Sequence, residues 1–215
     1  MTAILTRRSI RTLRAPAPSD EEFIYLLKGA AAAPDHGRLR PWRWIVLRGT
    51  DMEALTARLS AEAESGPRDR GAHTTSAPLK AVLVFSPTAH NQVPEWEQLA
   101  AASSVAYGLM LLLHARGFGT MWRTGRLCES PGARELLGVG PGERLLGALD
   151  IGTPEASARP ARRSSLDVYD RVQHLCQSVG AIDTADTYRA GREAFQIGST
   201  RYADCRSEKP YLNRT

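Results

Sequence analysis

Lysine is scarce in this chain: Lys28, Lys80 and Lys209 are the only three in 215 residues, so the formal charge of +5 rests on arginine. Positive charge of that kind does not by itself point to nucleic acid. Arginine enrichment can follow genome composition, and no nucleic-acid recognition motif accompanies it. What arginine does suit is phosphate, which its planar fork grips with two parallel hydrogen bonds. Cysteine is nearly as rare. Cys128, Cys176 and Cys205 are widely spaced, odd in number and form no CxxC, which argues against a disulfide framework and a zinc site, so no metal is expected and the thiols read as isolated. No apolar run reaches the roughly 20 uninterrupted residues of a membrane span; the richest stretch, AYGLMLLLHARGFG, meets His114 and Arg116. MTAILTRRS has no apolar core of secretory length. The expectation is a soluble, cytoplasmic protein with no membrane and no nucleic-acid partner. Nucleotide and zinc-protease motifs are missing too: there is no P-loop and no HExxH, and GVGPG (138–142) contains a proline and reads as a turn rather than as GxGxxG.

What is present suits one substantial core, with 42% hydrophobic residues, in a domain of mixed helices and strands plus an appendage. Ser19 and Glu22 make a capping box ahead of Phe23, Leu26, Leu27, Ala30 and Ala31, a spacing that predicts an amphipathic helix over 20–32, stopped by Pro34. WRWIVLR (42–48) and LKAVLVFS (79–86) read as strands, with the helical MEALTARLSAEAE between them. GPRDRGAHTTSAP (66–78) reads as a mobile loop. After Pro94, EWEQLAAASSVAYGLMLLLHARG is apolar or small on nearly every face, so it must be buried in the domain centre or at a subunit interface; Gly117 and Gly119 mark its end. TMW (120–122) is a short strand. SPGARELLG (130–138) sets Ser130 at an N-cap, Pro131 at N1 and Gly138 past the C-terminus of a helix. LLGALDIG (145–152) is the last clear strand, RPARRSS (159–165) reads as a linker, and DTADTYRAGREAFQI reads as one more helix.

Two arginine clusters carry the functional argument. RRSIR (7–11) sets Arg7, Arg8, Ser9 and Arg11 at the end of a short helical stretch, a cradle of guanidinium groups beside a hydroxyl. APDHGRLRPWRW (33–44) adds Arg38, Arg40 and Arg43 with His36, Trp42 and Trp44, and WRT (122–124) adds Arg123 beside Trp122. Each cluster sits at the edge of a predicted element, where a rigid scaffold positions binding residues. Arginines and aromatics together suit a phosphorylated planar cofactor.

These stretches resemble the FMN-dependent nitroreductase family and, within it, the compact YdjA-like branch. The resemblance is carried by RRSIR (7–11), PAPSDEEF (16–23), AAPDHGRLRPWRWIVLRG (32–49), VPEWEQ (93–98), HARGFGTMWRTG (114–125), CESPGARELLG (128–138) and ERLLGALDIGTP (143–154), in family order. It implies an α+β nitroreductase-like fold, a central mixed sheet flanked by helices, assembled as a homodimer with two FMN sites at the interface. Carried over by position, Arg7, Arg8 and Ser9 would bind the FMN phosphate and ribityl region with Arg11 as a helper. Ala32 and His36 would reach the flavin from the other subunit, Arg40 would approach the ring, and Trp122, Arg123 and Thr124 would form the second cofactor segment. The implied reaction is ping-pong: NAD(P)H delivers hydride to flavin N5, leaves, and a nitroaromatic, quinone or similar small-molecule acceptor takes its place. No catalytic side chain is required, since the chemistry belongs to the cofactor. Glu97 reads as a first-turn glutamate set for the helix dipole. The alternatives are a specialised flavin-dependent oxidase or dehydrogenase of a biosynthetic pathway, or a non-catalytic flavin-binding protein.

The sequence departs from the family in two places. Asp150 stands in the last core strand, where a carboxylate must be paired, edge-exposed or protonated. The segment 173–215 has no counterpart in the family, so the domains expected are 1–172, which binds FMN, and a C-terminal extension.

Overall fold

The computed structural model describes residues 2–64, 77–155 and 168–173. The chain divides into two compact units, Met1–Ala161 and Arg162–Thr215; in the second, the described residues form one 3-10 turn, Tyr169–Arg171. The linker expected at 159–165 and the late helix lie outside the described residues, as does nearly all of the loop expected at 66–78.

The first unit runs α1 (Thr2–Thr6), β1 (Leu13–Arg14), α2 (Asp20–Ala30), a 3-10 turn at His36–Arg38, β2 (Trp42–Leu47), α3 (Gly49–Glu64), β3 (Leu79–Phe85), α4 (Glu95–Ala115), β4 (Gly119–Arg123), α5 (Arg126–Glu129), α6 (Pro131–Leu136) and β5 (Arg144–Pro154). The Ser19 and Ser130 N-caps form: the Ser19 hydroxyl accepts from the Glu22 amide at 3.2 Å, and the Ser130 hydroxyl accepts from the Ala133 amide at 2.9 Å. Helix α2 ends two residues early, at Ala30. A proline disfavours helical backbone in the residue before it, and the chain instead tightens into a turn, with Ala32 and Ala33 donating to Gly29 and Ala30.

The sheet is ordered β1-β5-β3-β2, with β4 also pairing β5, and every named ladder is antiparallel; the parallel element is the single bridge between Ser9 and Thr120. Alternation sends Leu79, Ala81, Leu149 and Ile151 to one face, where α2 and α4 cover them with Phe23, Leu26, Val105, Leu109 and Leu113. Val82, Val84, Leu145 and Ala148 take the other face, beneath Leu55 of α3, Leu127 of α5 and Ala133 of α6. Each large aliphatic side chain so buried contributes roughly 1.5–3 kcal/mol. By length and composition α4 is apolar enough to cross a membrane, which the sequence reading did not anticipate. In the fold it is a core helix: Ala102, Val105, Ala106, Leu109 and Leu113 are buried against the sheet and α2.

Both tryptophans of β2 pack on the α4 side of the sheet, and Trp44 meets Phe23 edge to face with ring centroids 6.3 Å apart. Arg43, on the alternate face, takes no part in a cationic site. Its fork grips Glu143 at 2.8 and 2.7 Å and reaches the Gly138 carbonyl at 3.0 Å. Arg43 first, then the Ser86 hydroxyl and the Gly140 amide, hold the Glu143 carboxyl down at about 2 against the opposing effect of burial. A carboxylate with a depressed pKa in the folded chain lends stability above its unfolded value of about 4.3 and loses it as pH falls toward the folded value. Glu143→Gln should therefore lower stability at pH 7 by about 1–3 kcal/mol and flatten the fall between pH ~4.3 and ~2. Urea unfolding across that range checks it, and a variant with the parental pH profile would sink the assignment.

Candidate functional site

The N-terminal cluster is held by the sheet edge. After α1 the chain crosses to β4, where Ser9 bridges Thr120 and the Ile10 amide donates to the Thr120 carbonyl at 3.0 Å. Arg7, Arg8 and Ser9 thus lie beside the strand that ends in Trp122 and Arg123, with Thr124 just after it. Two buried polar atoms without a partner among the described residues flank this bridge: Arg7 Nη1 and Thr120 Oγ1. An unpartnered buried donor is costly, doubly so when it carries charge, so the pair marks a place prepared for acceptor oxygens. Arg8 turns inward, its Nη1 donating to the carbonyls of Leu5 and Arg7 at 2.8 and 2.9 Å, so it caps α1. Arg11 is exposed.

Successive residues of β4 leave opposite faces of the strand. Trp122, opposite Leu149, lies on the α4 side, and its indole donates to the Leu146 carbonyl at 3.1 Å. Arg123, opposite Ala148, lies on the other side, and its Nε donates to Asp150. The Asp150 carboxylate, 1% exposed, also accepts from Lys80 of β3. Asp150 is therefore buried and paired with two cations. Beside these residues β5 carries a bulge: Leu83 pairs with Gly147 but Val84 with Leu145. Gly147 has φ of 120°, and a Cβ there would meet the Arg123 carbonyl oxygen at 2.4 Å and Trp122 Nε1 at 2.6 Å. Only glycine lets β4 and its Trp122–Arg123 end lie this close.

The second group sits in the loop from α2 to β2. Ala32 is exposed in the turn after α2. The Asp35 carboxylate accepts from the Leu39 and Arg40 amides at 3.2 and 2.8 Å, holding Gly37, Arg38 and Arg40 at positive φ of 75°, 53° and 48°. For arginine that backbone costs about 1–2 kcal/mol per residue, a strain characteristic of ligand sites. His36, with a side chain 61% exposed, places Nδ1 2.7 Å from Glu97 Oε2 at the start of α4. A carboxylate partner assigns the proton to Nδ1 and leaves Nε2 as the outward nitrogen. No local pattern announces this pairing, because 61 residues separate the two.

The two groups stand at opposite ends of α4. Thr6 Oγ1 lies 2.8 Å from His114 Nε2 near the C-terminal end, and His36 is bound to Glu97 near the N-terminal end. From residue 97 to 114 an α-helix rises roughly 25 Å, longer than one small cofactor. Within one chain, then, His36 is held at the far end of α4 from Thr6 and the α1 segment.

The sequence profile described as the Nitroreductase family matches residues 4–153. Escherichia coli (strain K12) YdjA, provisionally named an NAD(P)H nitroreductase, is 34% identical over 161 residues, covering 72% of this chain and 88% of YdjA. A Haemophilus influenzae protein with the same provisional name is 31% identical, covering 81% of this chain and 98% of its own. Among solved structures, a nitroreductase-like family protein from Bacillus cereus superposes with TM-score 0.69 at 24% identity, over 81% of this chain and 94% of that one. The FMN-dependent nitroreductase NfnB from Mycobacterium smegmatis, solved in complex with NADPH, gives 0.65 at 18%, over 81% and 96%. At those identities the structures speak for the fold.

The bulge gives a direct test. Gly147→Ala should destabilise the chain by roughly 2–4 kcal/mol, through its positive φ and the collision with β4. Gly140→Ala, where a Cβ would stand 3.6 Å from Glu143, should change stability by less than about 1 kcal/mol. Equal effects in denaturant unfolding would show that close approach at Gly147 does not constrain β4.

Proposed function

The chain belongs to the nitroreductase family, and on that premise we propose that it is an FMN-dependent NAD(P)H oxidoreductase acting as a homodimer on a nitroaromatic, quinone or similar small-molecule acceptor. When bound, FMN supplies the hydride chemistry, receiving a hydride from NAD(P)H and passing it on in a ping-pong cycle. The observation that carries the reading is the unpartnered pair Arg7 Nη1 and Thr120 Oγ1 beside Ser9, since a phosphorylated cofactor with a hydroxylated chain offers the acceptors they lack. Arg7 and Ser9 would hold the phosphate and ribityl oxygens, and Arg8 would orient the segment through its bonds to Leu5 and Arg7. The fixed indole of Trp122 would exclude water at one side, with Arg123 and Thr124 next to it. Ala32, His36 and Arg40 would close the pocket from a second copy, with Arg11 and Arg40 adding positive potential that favours negative charge on the ring.

Helix α4 supports a second copy. Its outward face exposes Trp96, 69% accessible, and Tyr107, 44%, on a helix that is apolar all round. A two-fold contact along that face would bring the Arg7 end of one chain to the His36 end of the other, which a single chain does not achieve. The reading extends to a cytoplasmic location, supported by Cys128 standing as a free thiol. Its reactivity is low: burial first, then Glu129, pushes its pKa up.

Flavin content, cofactor binding and oligomeric state test the reading. The purified protein should show a flavin absorption spectrum, release FMN on denaturation and lose its colour on anaerobic addition of NADPH or NADH. Arg7→Ala should weaken FMN binding by about 10- to 100-fold. A protein that neither carries FMN nor takes it up would refute the reading; bound FMN that no nicotinamide reduces would favour the oxidase or dehydrogenase alternative. Sedimentation should give a dimer, and Trp96→Glu with Tyr107→Glu should yield monomers that lose FMN. A wild-type monomer that binds FMN tightly would remove the two-chain site.

A further inference from the structure

Asp150 ties together three neighbouring strands. It lies in β5 and accepts from Lys80 on β3 and from Arg123 on β4. The register explains the geometry. Lys80 is directly opposite Asp150, so the two share a face. Arg123 is opposite Ala148, two residues away, and its side chain must run diagonally back along β4 to reach the carboxylate. Neighbours on that face are apolar, with Val82, Val84 and Ala148 fully buried, so an unpaired carboxylate would be costly there.

Lys80 alone would balance its charge. The second bond therefore matters chiefly for Arg123, whose hydrogen bonding among the described residues consists of that one contact through Nε. Nε is the guanidinium nitrogen nearest the chain, and anchoring it fixes the plane of the group while leaving both Nη amino groups without a partner among the described residues. The three groups together carry one positive charge, so the cation is held without being cancelled. Arg123 remains 23% exposed in its side chain, at the end of β4 that also carries Trp122.

We propose that Asp150 is a positioning residue for the cofactor, fixing the Arg123 guanidinium so that its two Nη groups are ready for acceptor oxygens of the bound flavin, those of the phosphate or those of the ring. This rests on the flavin reading above. Lys80 completes the charge balance and does not take part in binding.

Titration of the apoprotein with FMN and with riboflavin tests the proposal, with circular dichroism reporting the fold of each variant. Asp150→Asn should weaken FMN binding about tenfold, the loss of one charge-assisted contact, and Arg123→Ala by at least as much. Because Asp150 acts through Arg123, the double variant should bind no more weakly than Arg123→Ala alone. Lys80→Met, which keeps the Asp150–Arg123 pair, should stay within about twofold of wild type. If Asp150→Asn does not fold, the charge-balanced pair Lys80→Met with Asp150→Asn takes its place, with the same expected loss. A phosphate contact spares riboflavin binding in these variants, and a ring contact weakens it equally; either supports the proposal. Full additivity in the double variant, an Asp150→Asn protein that binds FMN like wild type, or equal losses in Lys80→Met and Asp150→Asn would overturn it, the last by showing a packing defect. A wild-type protein that binds neither flavin would instead refute the function proposed above, and this inference with it.

Discussion

Helix α4 is the constraint from which the rest follows. A helix with apolar or small residues on every side can bury only one of its faces against its own sheet, and here Ala102, Val105, Leu109 and Leu113 take that face. Trp96 and Tyr107 are left outside. The helix is also the ruler of the molecule: its ends carry Glu97 and His114, and these bind the His36 loop and the α1 segment. The apolar outer face and the separation of these two anchor points are what the proposed second chain along α4 would answer.

The sheet supplies the other half of the geometry. β4 pairs with β5 through five residues, and the bulge at Leu146–Gly147 allows the two strands to approach until the Trp122 indole reaches the Leu146 carbonyl. Asp150 then draws the Arg123 side chain back across the strand. Backbone and side chain at the end of β4 are thus fixed independently, the first by a glycine and the second by a carboxylate. Such double fixation is what preorganised binding requires, because a contact group free to rotate loses entropy when the ligand arrives.

How much of this was legible in the sequence depended on range. Ser19 with Glu22, and Ser130 with Pro131, announced their helices because a cap is written within four residues. The β-branched and aromatic run at 42–47 announced its strand for the same reason, while both of its tryptophans, read as part of the arginine–aromatic cluster, pack on the α4 side of the sheet. The ordered motifs from RRSIR to MWRTG carried the family. What stayed hidden was pairing across distance. Arg43 looked like a third member of a cationic loop until register placed it beside Glu143, 100 residues on. Glu97 looked like a dipole residue until the loop brought His36 to it. Asp150 was visible as an anomaly, yet its partners depend on which strands flank β5, and composition does not record strand order.

The departures from ordinary protein architecture in the described chain gather in these same places. Arg7 Nη1 and Thr120 Oγ1 are buried without partners, Arg38 and Arg40 hold a backbone that favours glycine, and Asp150 brings charge into an apolar face. Elsewhere Ser19 and Ser130 fill their helix caps and both faces of the sheet are packed, with the Trp44 indole nitrogen the other buried polar atom without a partner among the described residues. A sequence that obeys local rules in its scaffold and breaks them in two clusters is spending stability there. On the function proposed above, a ligand rich in acceptor oxygens would relieve the Arg7 end, and a neighbouring chain would bring the His36 end to the same bound molecule.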